Sequence, residues 1–171
     1  MPNKLIATLS FSLLMTSALA VNKGDEAPAW MGTDLVDGSQ VEFPSVLGDK
    51  PAVLIFWATW CPYCKAFMPY AKKIQADYAQ HGVQILTFNA KERGRGDPKG
   101  YVDGLDFPLV AVAEADGIAE QYGVKFIPGL MVVRGDGVVA YRRGWTDLPA
   151  GKKVAEQWDL EIRQVLDHLL L

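Results

Sequence analysis

The sequence of 171 residues predicts an α/β fold in which helices flank both faces of a mixed central β-sheet. A continuous apolar run at residues 53–57 is typical of a central strand that is covered on both faces. Apolar residues then recur at helical spacing over residues 66–78, and a second strand-like run follows at residues 83–88. Further along, Gly135-Asp136-Gly137 separates two more apolar runs and predicts a β-hairpin.

The region around the central strand predicts two neighbouring elements. Before it, residues 30–35 alternate loosely, Asp37-Gly38 is a turn pair, and residues 41–43 return as a short strand, so we expect an N-terminal strand extension. After it, the predicted helix ends near Gly82. We expect Pro69 to kink this helix, because proline removes a backbone donor.

The second half of the chain predicts shorter elements and a final helix. In order, these are a charged, glycine-rich loop at residues 91–100 with a short helix after Asp97-Pro98, an extended piece at 107–112, a helix at 114–122 capped by Gly123, hairpin strands at 129–134 and 138–143, and an amphipathic helix at 152–170. The order of the main elements is therefore strand, helix, strand, helix, hairpin and helix.

The composition fits one folded domain and excludes one class of partner. Half of the residues are apolar, so the chain can bury a sizeable core. The formal net charge is −3, with acidic and basic residues well mixed. Because nucleic-acid binders usually carry a basic face, we expect no nucleic-acid partner.

The first twenty residues have the layout of a secretory signal peptide. Lys4 supplies a positive start, residues 5–14 are apolar, and Ala18-Leu19-Ala20 forms a small-x-small cleavage site. We expect residues 1–20 to be removed and residues 21–171 to form a periplasmic domain; an uncleaved membrane anchor is the alternative. In both cases the domain lies where disulfides persist.

Cys61 and Cys64 are the two cysteines of the chain, and they directly follow the central strand. A disulfide between residues this close removes little chain entropy, so structural stapling is a poor explanation. The spacing suits a dithiol that opens and closes. A zinc site needs four ligands, and the two histidines, His81 and His168, lie far away in sequence, so we expect no metal.

Three sequence segments resemble the thioredoxin superfamily. They are Phe56-Trp57-Ala58-Thr59-Trp60-Cys61-Pro62-Tyr63-Cys64 with Pro69 in the helix after it, Tyr122-Gly123-Val124-Lys125-Phe126-Ile127-Pro128, and the hairpin at residues 132–139. The chain is most similar to exported TlpA/ResA-type thioredoxins, which carry an extra segment that here would span residues 91–112. This resemblance implies a thioredoxin-like mixed sheet over essentially all of residues 21–171.

The resemblance also implies how the region around the cysteines is built. Pro128 should be a cis-proline beside the dithiol, with the backbone of Ile127 turned outward to pair with an extended substrate. Apart from the resemblance, we expect Trp60 to cover the edge of the site and contact partners, with a purely packing role as the alternative. Pro62 and Tyr63, the dipeptide found in glutaredoxins, should tune the redox potential toward a couple that is less reducing than thioredoxin's own.

The two cysteines are expected to have different roles. Cys61 falls at the start of a helix, where unpaired N–H groups and the helix dipole favour an anion. Its pKa should therefore lie below the free value of about 8.5, which makes Cys61 the nucleophile. Cys64 lies one turn further in and should be the shielded, resolving thiol.

Two positions depart from the pattern of the family. Thioredoxin has a buried aspartate where Ile55 stands, and ResA-type proteins have a glutamate where Phe67 stands. Both acids move a proton for the resolving cysteine. Lys65 is the nearest ionisable side chain in sequence, and we expect it to be a solvated helix lysine. A water is the other proton carrier that the sequence leaves open.

Charged residues elsewhere are expected to be surface features. We expect residues 91–95 to be a solvated and mobile loop, with a docking loop as the alternative. Arg142 and Arg143, near the end of the hairpin, are expected to be surface charge. His81 and His168 lie at predicted helix ends, where a histidine is usually solvated or capping.

Three functions remain open at this point. The first is an exported thiol–disulfide oxidoreductase that reduces exported proteins, with apocytochrome c as a substrate implied by the resemblance and a membrane electron carrier as its partner. It would need no nucleotide or metal cofactor. The second is an oxidase that donates its disulfide through the same residues. The third is a carrier that binds Cu(I) through two thiolates.

Overall fold

A computed structural model describes residues 20–94, 96–146 and 153–170. All of the predicted signal peptide except Ala20, together with Arg95 and the start of the predicted last helix at residue 152, lies outside these residues. Within the described ranges, no helix has both the length and the apolar character that crossing a membrane requires.

The described residues form seven strands and four α-helices. In chain order these are β1 (Trp30–Thr33), β2 (Gln40–Phe43), β3 (Ala52–Trp57), α1 (Pro62–Asp77), β4 (Gln84–Asn89), α2 (Pro98–Asp103), β5 (Val110–Val112), α3 (Asp116–Gln121), β6 (Gly129–Val133), β7 (Val139–Arg142) and α4 (Val154–Leu170). Two short 3₁₀ helices, Ser45–Leu47 and Ala79–His81, lie in the connections.

The central sheet is mixed, as the sequence predicts. Its strand order is β5-β4-β3-β6-β7. Strand β3 is parallel to β4 and antiparallel to β6, and β6 and β7 form the predicted hairpin. Every residue of β3 is buried, because β3 has a neighbour on each side and both of its faces are covered. The predicted thioredoxin-like fold class is confirmed.

The two faces of the sheet carry two separate apolar cores. One core, which we call the disulfide-side core, contains both cysteines and the buried residues of α1 and α4. The other, the hairpin-side core, contains Trp30 and Phe43 of the β1–β2 hairpin together with buried residues around α3. Trp30 lies edge-on to Phe88 of β4, with ring centres 5.1 Å apart. The predicted N-terminal extension is therefore a separate two-stranded hairpin that closes one face.

The segment between β4 and α3 contains one helix and one strand. Helix α2 begins directly after Asp97, whose side chain accepts a hydrogen bond from the Gly100 amide. Strand β5 then joins the edge of the sheet beside β4. This is the segment in which the sequence places a family-specific insertion, with a helix after Asp97-Pro98 and an extended piece near residue 110.

Helix α1 begins where the expected position of Cys61 places it, but it ends at Asp77, before its predicted end near Gly82, and a 3₁₀ helix follows at Ala79–His81. The apolar spacing marks the helix from residue 66, whereas α1 begins at Pro62 and continues through Pro69 to Asp77. The first turn lacks the helical spacing of apolar residues because it contains Pro62 and Tyr63, which are both exposed. The cysteine pair therefore belongs to the helix itself.

Candidate active site

Cys61 and Cys64 form a disulfide at the N-terminus of α1. Strand β3 ends at Trp57, four residues before Cys61, so the cysteine pair lies just beyond the C-terminal end of the central strand. Cys61 is the N-cap residue, and its sulfur accepts a hydrogen bond from the Cys64 amide at 3.1 Å. Pro62 occupies the first turn, where its missing N–H would be unpaired in any case. The expected position of Cys61 at a helix start is confirmed.

Burial does not distinguish the two sulfur-bearing residues. Cys61 is 2% exposed and Cys64 is 1% exposed, and both pack within the disulfide-side core. The shielding expected of Cys64 is present. The sequence did not predict that Cys61 would be equally covered. Tyr63, between the cysteines, is 58% exposed, so its side chain is open to contact from solution whereas the two cysteines are covered.

Trp60 is fixed by the loop that follows β4. Its indole N–H donates to the Lys91 carbonyl at 2.8 Å, and the Arg93 guanidinium lies 3.7 Å from the centre of its ring. The Lys91 amide in turn donates to Asp116 at 2.8 Å. The expectation that residues 91–95 are simply solvated is therefore wrong for Lys91, whose backbone forms hydrogen bonds at both its amide and its carbonyl.

Glu92 binds the segment before the cysteines, a contact that the sequence analysis did not predict. Its Oε1 accepts from the Thr59 amide at 2.6 Å and from the Asn89 side chain at 2.7 Å. Its Oε2 accepts from the Thr59 hydroxyl at 2.7 Å. Thr59 lies two residues before Cys61, so one carboxylate joins the end of β3 to the end of β4 beside the disulfide.

A groove of about 490 Å³ brings the cysteine motif and the Pro128 segment together. Tyr63, Phe126, Ile127 and Pro128 line it, and the exposed Trp145 forms part of its rim. The Ile127–Pro128 peptide bond is cis, as the resemblance implies; the Phe43–Pro44 bond is also cis and was not anticipated. Trp60 lies outside this groove and lines a second hollow of about 370 Å³ with Thr59 and Glu92.

Arg142 and Arg143 bind backbone carbonyls, so the prediction that they are only surface charges is wrong. Arg142 donates to the carbonyls of Tyr122 and Gly123, at 2.7 Å each. Arg143 Nε donates to the Pro128 carbonyl at 3.0 Å. Burial lowers the pKa of both guanidinium groups, because it disfavours the charged form. The hydrogen bonds to backbone carbonyls therefore compensate for the burial of the two positively charged guanidinium groups.

The two positions at which the resemblance implies an acid, Ile55 and Phe67, are apolar and fully buried. Ile55 and Phe67 are both in the disulfide-side core. Thr87 pairs in register with Ile55 on the neighbouring strand, and its buried hydroxyl has no hydrogen-bond partner among the described residues. Lys65 is exposed, as expected, with its ammonium 5.9 Å from the centre of the Tyr101 ring.

The site offers sulfur ligands and little else to a metal. Within the part of the chain that the structure describes, no three His, Cys, Asp or Glu side chains lie close enough together to hold an ion. After reduction, the two thiolates of Cys61 and Cys64 would be the soft ligands available at this place.

Comparison with known proteins places these features in a family context. The AhpC/TSA family profile matches residues 23–142. The thiol-disulfide oxidoreductase ResA of Bacillus anthracis is 36% identical over 118 residues, which cover 68% of this chain and 66% of that protein. The thiol:disulfide interchange protein DsbE of Pasteurella multocida is 29% identical over 148 residues, covering 86% of this chain and 76% of that protein. The match thus spans about two thirds of the length of the ResA relatives.

Solved structures share the fold at low sequence identity. A protein from Chlorobium tepidum superposes with a TM-score of 0.73 at 22% identity, covering 89% of this chain and all of that one. A secreted disulfide oxidoreductase from Mycobacterium tuberculosis, homologous to E. coli DsbE, superposes with a TM-score of 0.58 at 21% identity, covering 79% of this chain and 95% of that one. These likenesses establish the architecture around the Cys61–Cys64 disulfide.

Proposed function

The chain belongs to the AhpC/TSA family, and from this premise we propose that it is an exported thiol–disulfide oxidoreductase that reduces disulfides of exported proteins. The observation that carries the proposal is the Cys61–Cys64 disulfide at the N-terminus of α1, next to a groove formed by Tyr63, Ile127 and Pro128. The names of the ResA and DsbE relatives support the same chemistry.

The reducing reaction proceeds in two exchanges. The thiolate of Cys61 attacks one sulfur of the substrate disulfide, so that a mixed disulfide forms and the other substrate sulfur leaves as a thiolate and is protonated. The Cys64 thiol then loses its proton and attacks the Cys61 sulfur, which releases the second substrate thiol. Two electrons and two protons pass to the substrate, and the chain ends with the Cys61–Cys64 disulfide that the structure contains.

The groove supports binding of an extended polypeptide during this cycle. Ile127 lines the groove together with Tyr63, and its backbone would pair there with a substrate strand. Trp60 would contact the substrate from the other side of the motif, in the orientation set by Lys91 and Arg93. Pro62 and Tyr63 would set the redox potential, as their place between the cysteines suggests.

The proposed partners follow from export and from the need to recharge the dithiol. We assign residues 1–20 to a signal peptide and residues 21–171 to the periplasmic domain. Exported proteins with disulfides, apocytochrome c among them, would be the substrates, which connects the chain to cytochrome c biogenesis and cell redox homeostasis. A membrane thiol–disulfide carrier would return the Cys61–Cys64 pair to the reduced state.

Cysteine variants test the proposed activity. In a reaction with a synthetic peptide that carries one internal disulfide, Cys61→Ser should lower the rate to that of the uncatalysed exchange, because the variant lacks the attacking thiol and keeps only the resolving one, Cys64. Cys64→Ser should still attack and should accumulate the mixed disulfide, which mass spectrometry detects as the summed mass. Wild-type rates in Cys61→Ser would exclude the proposed cycle.

The reduction potential decides the direction of the cycle. A couple clearly more reducing than oxidising-compartment glutathione, at about −180 to −210 mV, supports the reductase. A potential at or above that range would assign the same residues to an oxidase that donates its disulfide. Equilibration with glutathione buffers of known ratio gives this value directly.

A further inference from the structure

Arg143 contacts the residues on both sides of Ile127. Its Nε donates to the carbonyl of Pro128, at 3.0 Å, and its guanidinium carbon lies 4.9 Å from the centre of the Phe126 ring. Ile127 lies between these two residues in sequence and lines the groove. One side chain therefore contacts the residue before Ile127 and the residue after it.

Arg143 also joins this segment to the rest of the domain. Its guanidinium lies 4.8 Å from the centre of the Trp158 ring, on the disulfide-side helix α4, and Trp158 is buried. Its own backbone amide donates to the Leu130 carbonyl at 2.8 Å, which aligns the residue with the start of β6. The guanidinium thus lies over two aromatic rings and donates a hydrogen bond from Nε, a combination that suits the planar group of arginine better than the ammonium of lysine.

This arrangement serves no step of sulfur chemistry. No contact of Arg143 described above is with a cysteine, and dithiol exchange requires only the two sulfurs. Desolvating a guanidinium is costly, so the contacts that compensate for it must hold the group in one place. What they hold in place is the backbone to which an extended substrate would pair.

We propose that Arg143 is a positioning residue that fixes the Ile127 backbone for pairing with polypeptide substrates, an inference that rests on the proposed oxidoreductase function. Arg143 therefore increases the rate with a substrate that has backbone on both sides of its sulfur. It leaves the intrinsic reactivity of Cys61 unchanged.

Two probes with the same leaving group separate these effects. One is a ten-residue peptide with a central cysteine, and the other is a single cysteine capped at both ends; each carries 2-nitro-5-thiobenzoate as a mixed disulfide. Attack by Cys61 on the cysteine sulfur releases the same coloured thiolate from both. The ratio of the two second-order rate constants therefore measures what the residues flanking the cysteine add to the rate.

The variants are Arg143→Lys and Arg143→Met, with Arg142→Lys as the matched control. Lysine keeps the charge and methionine keeps an unbranched chain between the two rings, while both lose the fork of donors. Arg142 is also a half-buried arginine that binds backbone carbonyls, but those belong to Tyr122 and Gly123, at the end of α3. It therefore reports the cost of losing a buried arginine away from the groove.

We expect both Arg143 variants to lose about tenfold in the peptide rate constant, the scale of one charge-assisted hydrogen bond, with the capped-cysteine rate unchanged. Arg142→Lys should keep the wild-type ratio. Equal ratios in wild type and both Arg143 variants would overturn the positioning role, as would an equal loss on both probes. A wild-type protein that attacks neither probe would overturn the proposed oxidoreductase function itself.

Discussion

Glu92 accepts three hydrogen bonds beside the segment that leads into the cysteine pair. It accepts two from Thr59 and one from Asn89, and all three are 2.6–2.7 Å long. Thr59 and Glu92 are both half-buried, so water competes only partly for these groups. The carboxylate therefore fixes the backbone that leads from β3 into Cys61.

The substitution Glu92→Gln should destabilise the fold by about 1–3 kcal/mol, because an amide cannot accept at both ends and leaves a Thr59 donor unpaired. Denaturant unfolding of the oxidised protein measures this difference. Glu120→Gln is the control, since Glu120 is exposed on α3 and its change should stay within about 0.5 kcal/mol. Equal stabilities for the two variants would remove the anchoring role of Glu92.

Individual residues differ in how far the sequence reveals them. The roles of Cys61 and Cys64 as a pair at a helix start follow from local spacing, and the structure places them there. The roles of Glu92 and Arg143 could not be predicted from the sequence, because their hydrogen bonds join residues that are 33 and 15 positions apart. A charged residue in a glycine-rich loop or after a hairpin has the same local pattern whether it is solvated or buried against a partner.

Helices α1 and α4 are joined at the far end from the disulfide by a tyrosine. The Tyr78 hydroxyl donates to Asp167 at 2.5 Å, just after α1 ends. Nearby, Arg163 of α4 pairs with Asp77 at 2.8 Å. Burial, and after it the contact with Asp167, raises the pKa of Tyr78 to about 12. The folded state therefore holds this proton more tightly than the unfolded chain, whose tyrosine pKa is near 10.

We expect Tyr78→Phe to flatten the alkaline loss of stability. Because the pKa is raised on folding, the contribution of Tyr78 is fully present below pH 10 and is lost as the pH rises from 10 to about 12. In that window, the difference in bound protons between the folded and the unfolded state should be smaller in the variant by up to one proton. The slope of the unfolding free energy against pH measures this difference. Asp167→Asn should reproduce part of this change. An unaltered slope in Tyr78→Phe would contradict the assignment.

The elements themselves were largely predictable, and the exceptions have physical causes. Continuous apolar runs mark β3 and β4 because both faces of these strands are covered. The hairpin follows from Gly135-Asp136-Gly137, with Gly137 at φ +85°. The first turn of α1 lacks the apolar period, since Pro62 and Tyr63 face solvent. The start of α1 is therefore predicted by Cys61 and Pro62 rather than by the apolar period.

The whole domain is built from two cores that one sheet separates. The disulfide-side core includes both cysteines and residues of α1 and α4, whereas the hairpin-side core includes Trp30, Phe43 and Phe88. Alternating or apolar patterns predict each layer, but no local pattern shows which face the β1–β2 hairpin covers. That choice depends on long-range contacts such as the Trp30–Phe88 pair.

Truncating Trp30 should therefore reduce stability without changing the sulfur chemistry. Trp30→Ala should cost about 3–5 kcal/mol, since it leaves a large cavity in a packed core. The rate of attack on the capped-cysteine probe should stay at the wild-type value under conditions where the variant is folded. Met31→Ala, on the same strand but exposed, should change stability by less than about 0.5 kcal/mol. A large loss of rate in Trp30→Ala would show that the two cores are coupled.

The near-complete cover of both cysteines has a consequence for how the protein shares a compartment with other thiols. Each cysteine residue is at most 2% exposed, so a thiol in solution reaches the disulfide only through the small surface that the fold leaves open. Exchange with small thiols such as glutathione should therefore be slow, because the rate of thiol–disulfide exchange depends on access to the sulfur that is attacked.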